Sequence, residues 1–310
     1  MLMKIFLFFS ILLLNCNGCN SRQIPNLTTD KTQADTLTQL ILPHIPAMMQ
    51  TPELRASYLV AHYWDHVNWT DTNYIHHPEI TEQGWVNFID LLKLVSADEA
   101  ETALQSVITA TETEPKCHHY LQQLAEKYLY DPNSPLRNEE YYIAVLDALI
   151  ASPVLTDTEK IRIRRQRKLA QRNRLGTIAI NFRYTLASGT SAYLHNIPTD
   201  YTLIFFNNPG CHACGEVMDA LKTSDIINKA VDSQTLTILS IYPDEDVKEW
   251  KSFLPNYPMN WINAYDRKQV IQAENLYDLK AIPTLYLLDR QKKVLLKDTT
   301  PAHIEQMLNQ

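Results

Sequence analysis

The strongest constraint in the sequence is the junction at residues 201–216. Leu203-Ile204-Phe205-Phe206 is an apolar run of strand length, Asn207-Asn208-Pro209-Gly210 carries turn residues, and Cys211-His212-Ala213-Cys214 opens a helical segment. The pattern predicts a buried strand that delivers two cysteines, three positions apart, to the mouth of a helix. Such a pair suits thiol–disulfide exchange.

The attacking species in exchange is a thiolate, so the nucleophile needs surroundings that favour negative charge. A helix N-terminus supplies unpaired N–H groups and the positive end of the dipole. Cys211 is therefore the expected nucleophile. Cys214, one turn on, is the expected resolving thiol that attacks the mixed disulfide and releases the substrate. His212 lies between them; protonated, it would stabilise the Cys211 thiolate and make the disulfide more oxidising. The competing readings of a lone CxxC are half a zinc site and an inactive structural disulfide. No second CxxC accompanies it, and a strand-to-helix junction is the wrong context for a zinc knuckle.

Composition removes other classes. The chain has 310 residues, 45% of them hydrophobic, which is enough for two domains. Six glycines against 16 prolines argue against a glycine-rich phosphate-binding architecture. A net charge of −7 gives no reason to expect nucleic acid as a partner. Five cysteines are too few for a disulfide-stapled scaffold. Neither a metal nor another cofactor is expected.

From Gly176 the apolar period shortens. Strands are expected at Thr177–Tyr184, Leu203–Asn207, Leu236–Ile241, Trp261–Tyr265, Thr284–Leu288 and Val294–Lys297. Helices are expected from Cys214 past Leu221, at Asp244–Phe253, at Gln269–Tyr277 and at Pro301–Leu308. This alternation describes an α/β fold with a mixed sheet.

The strand–CxxC–helix, with Ile282-Pro283-Thr284 before a later strand, resembles the thioredoxin fold. Gly176-Thr177-Ile178-Ala179-Ile180-Asn181-Phe182 resembles the entry segment of TlpA/ResA-like extracytoplasmic thiol–disulfide oxidoreductases. The long span from Cys214 to Pro283 is similar to that branch, which carries an inserted strand and helix. The resemblance covers residues 176–310. It implies a cis bond before Pro283 and a loop that faces the CxxC, with the Ile282 backbone exposed for pairing with a substrate chain. It also implies protein thiols or disulfides as substrates and a membrane redox partner for recycling. The sequence departs from reducing thioredoxins: the strand before the cysteines carries no acid, Gly210 stands where Trp is usual, and Glu216 is the nearest acid on the helix. The direction of electron flow stays open.

Residues 36–175 read as an all-α domain. Stripes fall at Leu54, Tyr58 and Ala61; at Trp85, Phe88, Ile89, Leu92 and Val95; at Ala100, Ala103, Leu104, Val107 and Ile108; at Leu121, Leu124, Ala125 and Tyr128; and at Tyr142, Val145, Leu146 and Leu149. Ser96 with Glu99 predicts a capping box, and Thr156 with Glu159 opens a last helix expected to end at Gly176. The segment from Tyr130 to Asn138 is similar to a domain of unknown function that precedes thioredoxin-like modules in envelope lipoproteins. His76-His77 and Cys117-His118-His119 read as structural, because neighbours on a helix point apart. Cys117 reads as an unpaired thiol in or near a helix surface. The basic run from Lys160 to Arg174 reads as a solvated helix, with contact to anionic lipid headgroups as the alternative. Trp64 and Trp69 read as core aromatics.

At the start, Lys4 precedes the apolar stretch Ile5–Leu14, which has the length of a signal peptide rather than of a membrane span. Gly18-Cys19 resembles a bacterial lipoprotein processing site, which implies acylation of Cys19; plain secretion is the competing reading. Residues 1–19 are thus a signal peptide, 20–35 a polar tether, and the expected location is the cell envelope or periplasm, tethered to a membrane. The function expected of the whole is thiol–disulfide exchange with protein substrates. The alternatives are a binding or assembly protein without turnover and a peroxide-reducing enzyme of peroxiredoxin type, though that type has Thr where Asn208 and Pro209 stand here. In cells fed labelled palmitate, wild-type protein is expected to carry the label and Cys19→Ala to carry none; equal labelling would reject lipidation at Cys19.

Overall fold

The structure, a computed structural model, describes residues 39–309. The signal peptide with Cys19 and the tether at 20–35 lie outside the described residues. Proline and side-chain caps divide the first half into helices: α1 (Pro52–His62), α2 (Pro78–Leu92), α3 (Ala97–Ala110), α4 (Pro115–Ala125), α5 (Glu139–Ala151) and α6 (Asp157–Ala170). Three of these start with proline, whose missing N–H costs nothing at a first helical position. Ser96–Glu99 and Thr156–Glu159 form the two capping boxes, as the sequence predicts. Trp85, Phe88, Ile89, Leu104, Leu121, Val145 and Leu149 are buried together in one helical core, with Trp64 and Trp69 among them.

The first stripe is the exception. Leu54 is exposed, and α1 turns Val60 inward, followed by Tyr63 and Trp64. The aromatic cluster beyond the helix end, rather than spacing within the helix, decides which side is buried. Cys117 also corrects the expectation of a surface thiol: it is fully buried, and burial raises its pKa. His118 is buried too, its Nδ1 2.9 Å from the Thr111 hydroxyl, and burial lowers its pKa. Most of the basic run is engaged within the chain, with Arg162 on Glu126, Arg167 on Asp147 and Arg174 on Glu140. The last helix stops at Ala170, short of Gly176: Asn173 takes a left-handed φ of 51°, and Lys297 Nζ donates to the freed carbonyls of Ala170 and Arg172.

The second half holds β1 (Arg183–Leu186), β2 (Ser191–Tyr193), β3 (Tyr201–Phe206), α7 (His212–Thr223), α8 (Asp225–Asp232), β4 (Leu236–Tyr242), α9 (Val247–Phe253), β5 (Ile262–Tyr265), α10 (Val270–Ala273), β6 (Thr284–Leu288), β7 (Val294–Lys297) and α11 (Pro301–Leu308). One mixed sheet of seven strands runs in the order β2-β1-β5-β4-β3-β6-β7. β3 is an interior strand, parallel to β4 and antiparallel to β6, and its apolar residues are buried on both faces. The outcome is a helical region followed by a thioredoxin-like α/β region.

Three local expectations fail. Residues 177–182 form no continuous strand with β1: the segment makes a single antiparallel bridge, Ile178 to Lys293, with the Ala179 N–H donating to the Lys292 carbonyl and the Val294 N–H to the Thr177 carbonyl, and the strand begins at Arg183. The helix expected over Gln269–Tyr277 shrinks to α10, since Asn275 takes a left-handed φ of 48°. α8, which the sequence reading did not anticipate, is capped by Ser224 and buries Ile227 and Val231.

From Leu37 onward the chain forms one compact unit, and a buried ion cluster joins its helical and sheet regions. Lys280 Nζ lies 2.6 Å from Glu139, 3.1 Å from Asp278 and 3.9 Å from Asp298. Lys297 reaches Glu139 at 2.5 Å, and Arg137 binds the Asp298 carbonyl. The Lys280 ammonium also sits 4.1 Å from the centre of the Tyr130 ring. Burial alone would lower the Lys280 pKa, but the three carboxylates together raise it, so the ammonium stays charged. Burial outweighs the cations at Asp298 and pushes its carboxyl up. The distances explain the contrast, for Lys280 and Arg137 both stand 3.9 Å from the Asp298 carboxylate while Glu139 holds Lys280 closely. Three cations thus face three carboxylates, and removing one leaves buried charge uncompensated. Lys280→Met is expected to destabilise the fold by about 3–5 kcal/mol, read as a lower denaturation midpoint; an unchanged midpoint would show that the cluster holds nothing.

Candidate active site

Register brings the site together. The last residue of β3, Phe206, pairs with Thr284, the first residue of β6. The chain leaving β3 and the chain entering β6 therefore meet at one end of the sheet. Phe206 also pairs with Ile241 near the end of the parallel neighbour β4, so the connection after β4 arrives at the same end. Crevices beyond the carboxyl ends of parallel strands are where α/β sheets place their ligands.

At that end the turn Asn207–Gly210 delivers Cys211. Gly210 has φ +70°, and nothing lies within 4 Å of where a Cβ would stand. Backbone conformation, not space, thus favours glycine at the position where Trp is usual. Cys211 is the N-cap of α7: its sulfur accepts the Cys214 N–H at 3.2 Å. The Cys211 thiol in turn lies 3.8 Å from the Ile282 carbonyl oxygen, to which it donates. The Ile282–Pro283 bond is cis. Cys211 is half-buried and reachable, whereas Cys214 is buried beneath it. Burial pushes the Cys214 thiol up to about 12, and its hydrogen bond with Cys211 acts in the same direction.

His212 stands apart from the sulfurs' buried side. Its ring is exposed, and Nδ1 lies 3.5 Å from Glu216, itself exposed on the outer face of α7. Glu216 is therefore not beneath Cys214. What lies there instead is a neutral network that the sequence reading missed. A cavity of about 180 Å³ is lined by both cysteines, Asn207, Met218 and Tyr257. The Tyr257 hydroxyl donates to Asn207 Oδ1 at 2.7 Å, and Asn207 Nδ2 donates to the Ser240 hydroxyl and the Phe205 carbonyl, each at 2.9 Å. Burial, and after it the neighbouring cysteines, push the Tyr257 hydroxyl up to about 12. Asn207 could have been suspected as a polar residue ending an apolar strand. Tyr257, 50 positions further on, gives no such signal.

Among the described residues no group of three or more His, Cys, Asp or Glu side chains could hold a metal ion. No described helix is long and apolar enough to cross a membrane. A larger cavity of about 360 Å³ beside β1 is lined by Phe182, Arg183, Asp266 and Lys268 and contains no thiol.

Comparison with known proteins agrees with this geometry. Residues 18–173 match the family described as a domain of unknown function, DUF5106, and residues 199–294 match a family described as thioredoxin-like. A thioredoxin-like protein from Bacteroides caccae, of known crystal structure, is 53% identical; the match covers 88% of this chain and 99% of that one, with a TM-score of 0.86. The C-terminal domain of an uncharacterised protein from Bacteroides fragilis is 54% identical over 44% of this chain and 99% of its own, with a TM-score of 0.44. No curated protein matches the chain.

Asn207 holds the network under the cysteines, so its loss should be felt in the fold. Asn207→Leu leaves the Tyr257 and Ser240 hydroxyls without that partner in a buried place. The expected cost is about 1–3 kcal/mol, measured by chemical denaturation with the thiols kept reduced; a neutral result would mean that the network is not structural.

Proposed function

Because this chain belongs to the thioredoxin-like family, as a member with a DUF5106 domain ahead of its cysteine pair, we propose that it exchanges disulfides with protein substrates. The observation that carries this reading is the asymmetry of the pair. Cys211 is reachable at a helix N-terminus, with the Cys214 N–H directed at its sulfur, while Cys214 is buried and protonated. One thiol is placed to attack and the other to wait.

The steps balance as follows. The Cys211 thiolate attacks one sulfur of a substrate disulfide; the other sulfur leaves as a thiolate and takes up a proton. Cys214 then gives up its proton and attacks Cys211 Sγ, which breaks the mixed disulfide and frees the second substrate sulfur as a thiol. Two electrons have passed to the substrate, and Cys211–Cys214 is a disulfide. Run in reverse, the same steps oxidise a substrate dithiol. Ile282 offers its carbonyl beside the reacting sulfur, where a substrate backbone would pair. The N-terminus of α7 directs the Cys214 N–H at the Cys211 sulfur, and His212 stands exposed on the outer face of the helix.

The proposal places this chemistry in the cell envelope, with Cys19 as a lipid anchor and a membrane redox partner returning the pair to its working state. It rests on Lys4, the apolar stretch to Leu14 and the Gly18-Cys19 pair. An assembly protein without turnover would not need a reachable thiol over a buried one.

Cys211→Ser is expected to lower exchange with a protein disulfide by at least about a hundredfold. Cys214→Ser should retain the first step and accumulate mixed disulfides, visible on non-reducing gels. A Cys211→Ser protein as active as wild type would end the enzymatic reading.

A further inference from the structure

The segment Asp131–Asn138 of the helical region stands at the edge of the site. A groove of about 300 Å³ runs from the cysteine-bearing helix across the docking loop; Pro132, Asn133, Val217, Ile282, Pro283 and Pro301 are among the residues that line it. Two of these, Pro132 and Asn133, belong to the helical region. Without that region the groove would lack a side.

This side is built to keep its shape. A π-helical turn, Glu126–Tyr130, carries the end of α4 to the loop. Ser134 Oγ donates to the Tyr128 carbonyl, Asp131 Oδ1 accepts the Asn133 N–H, and Asn138 N–H bonds the Leu129 carbonyl. Pro132 and Pro135 restrict the backbone further. Leu136 packs into the helical core. Immediately behind the loop, Arg137 binds Asp298, and Lys280 ties Glu139 of α5 to the stretch that leads into Ile282. The loop and the docking loop are thereby fixed to one another.

The groove also leaves polar groups free. The Asn133 side chain is exposed, and its amide makes no hydrogen bond among the described residues. Together with the Ile282 carbonyl it offers the hydrogen-bonding groups that an extended backbone requires.

We propose that the Asp131–Asn138 loop of the helical region is a specificity-determining wall of the substrate groove, which takes an extended polypeptide segment flanking the reactive cysteine. This rests on the exchange activity proposed above and assigns the helical region its part in it. Asn133 reads the backbone of the segment, and Pro132 sets the width of the groove. A small disulfide that reaches Cys211 without lying along the groove makes no use of the wall.

The test compares two probes with the same leaving group. One is bis(2-hydroxyethyl) disulfide. The other is a peptide of about eight residues whose central cysteine is linked to 2-mercaptoethanol. With the peptide probe, two electrons pass from the Cys211–Cys214 dithiol and release the peptide thiol and mercaptoethanol. Asn133→Trp, which places bulk in the groove from an exposed position, should slow reduction of the peptide probe at least about tenfold and leave the small probe within about twofold. Asn133→Ala, a milder change, should lower only the peptide rate, by about two- to fivefold. If wild type reduces both probes and neither variant separates them, the wall proposal is wrong while the exchange activity stands. If wild type neither reduces these probes nor, with its own pair oxidised, oxidises their thiols, the activity itself is wrong and the wall falls with it.

Discussion

The ammonium of Lys280 is the charge on which the arrangement around the thiols depends. It lies two residues before Ile282, whose carbonyl faces Cys211, and it is held among carboxylates from both halves of the chain. A buried cation must be compensated where it is, or the structure around it must move. Glu139 of α5 supplies the closest compensation, so the helical region fixes the loop that faces Cys211. The cluster is thus a positional device as much as a stabilising one. Its partners differ in how they meet burial: Lys280 is held charged, while the more distantly paired Asp298 is pushed toward neutrality.

Beneath the cysteines the physical choice is the opposite. Where reducing thioredoxins bury an acid, this protein buries an amide and two hydroxyls, Asn207, Tyr257 and Ser240. These groups satisfy each other and bring no ionisable carboxylate under Cys214. The Cys214 thiol therefore meets burial without an opposing cation and stays protonated. For the exchange proposed above, this contrast sets the order: the sulfur at the helix N-terminus would react first, and the buried one once the first is engaged in a mixed disulfide.

Much of this was legible in the chain itself, and the boundary is instructive. The strand at Leu203–Phe206, the start of a helix at Cys211–Cys214 and the hairpin at residues 284–297 are local patterns, and the structure places these elements where the sequence predicts them. So were the two capping boxes, each written within four residues. What escaped was set by distant partners. Lys297 satisfies a carbonyl just past the end of α6 from 125 residues away, and no periodicity in the helix records that. Val60 rather than Leu54 is buried because Trp64 and Trp85 gather on that side. The charges of the Lys280 cluster come from three separate stretches of sequence, and they look like ordinary surface charges until the fold brings them together. Cys117 looked like a surface thiol for the same reason, since helical spacing alone does not say what covers a face.

The coupling between the two regions bears on how a groove of this kind selects a substrate. Association costs free energy for every loop and side chain it must order, about 0.5–1.5 kcal/mol for each rotamer-rich group. A wall held by its own turns and prolines, and fastened through Lys280 and Arg137 to the docking loop, has already met that cost in folding. Contacts made along it then count fully toward discrimination. A mobile wall with the same residues would bind the same segments more weakly and distinguish them less. The helical region thereby gains a physical rationale beside the thiols: it keeps one side of the groove still during the exchange proposed above.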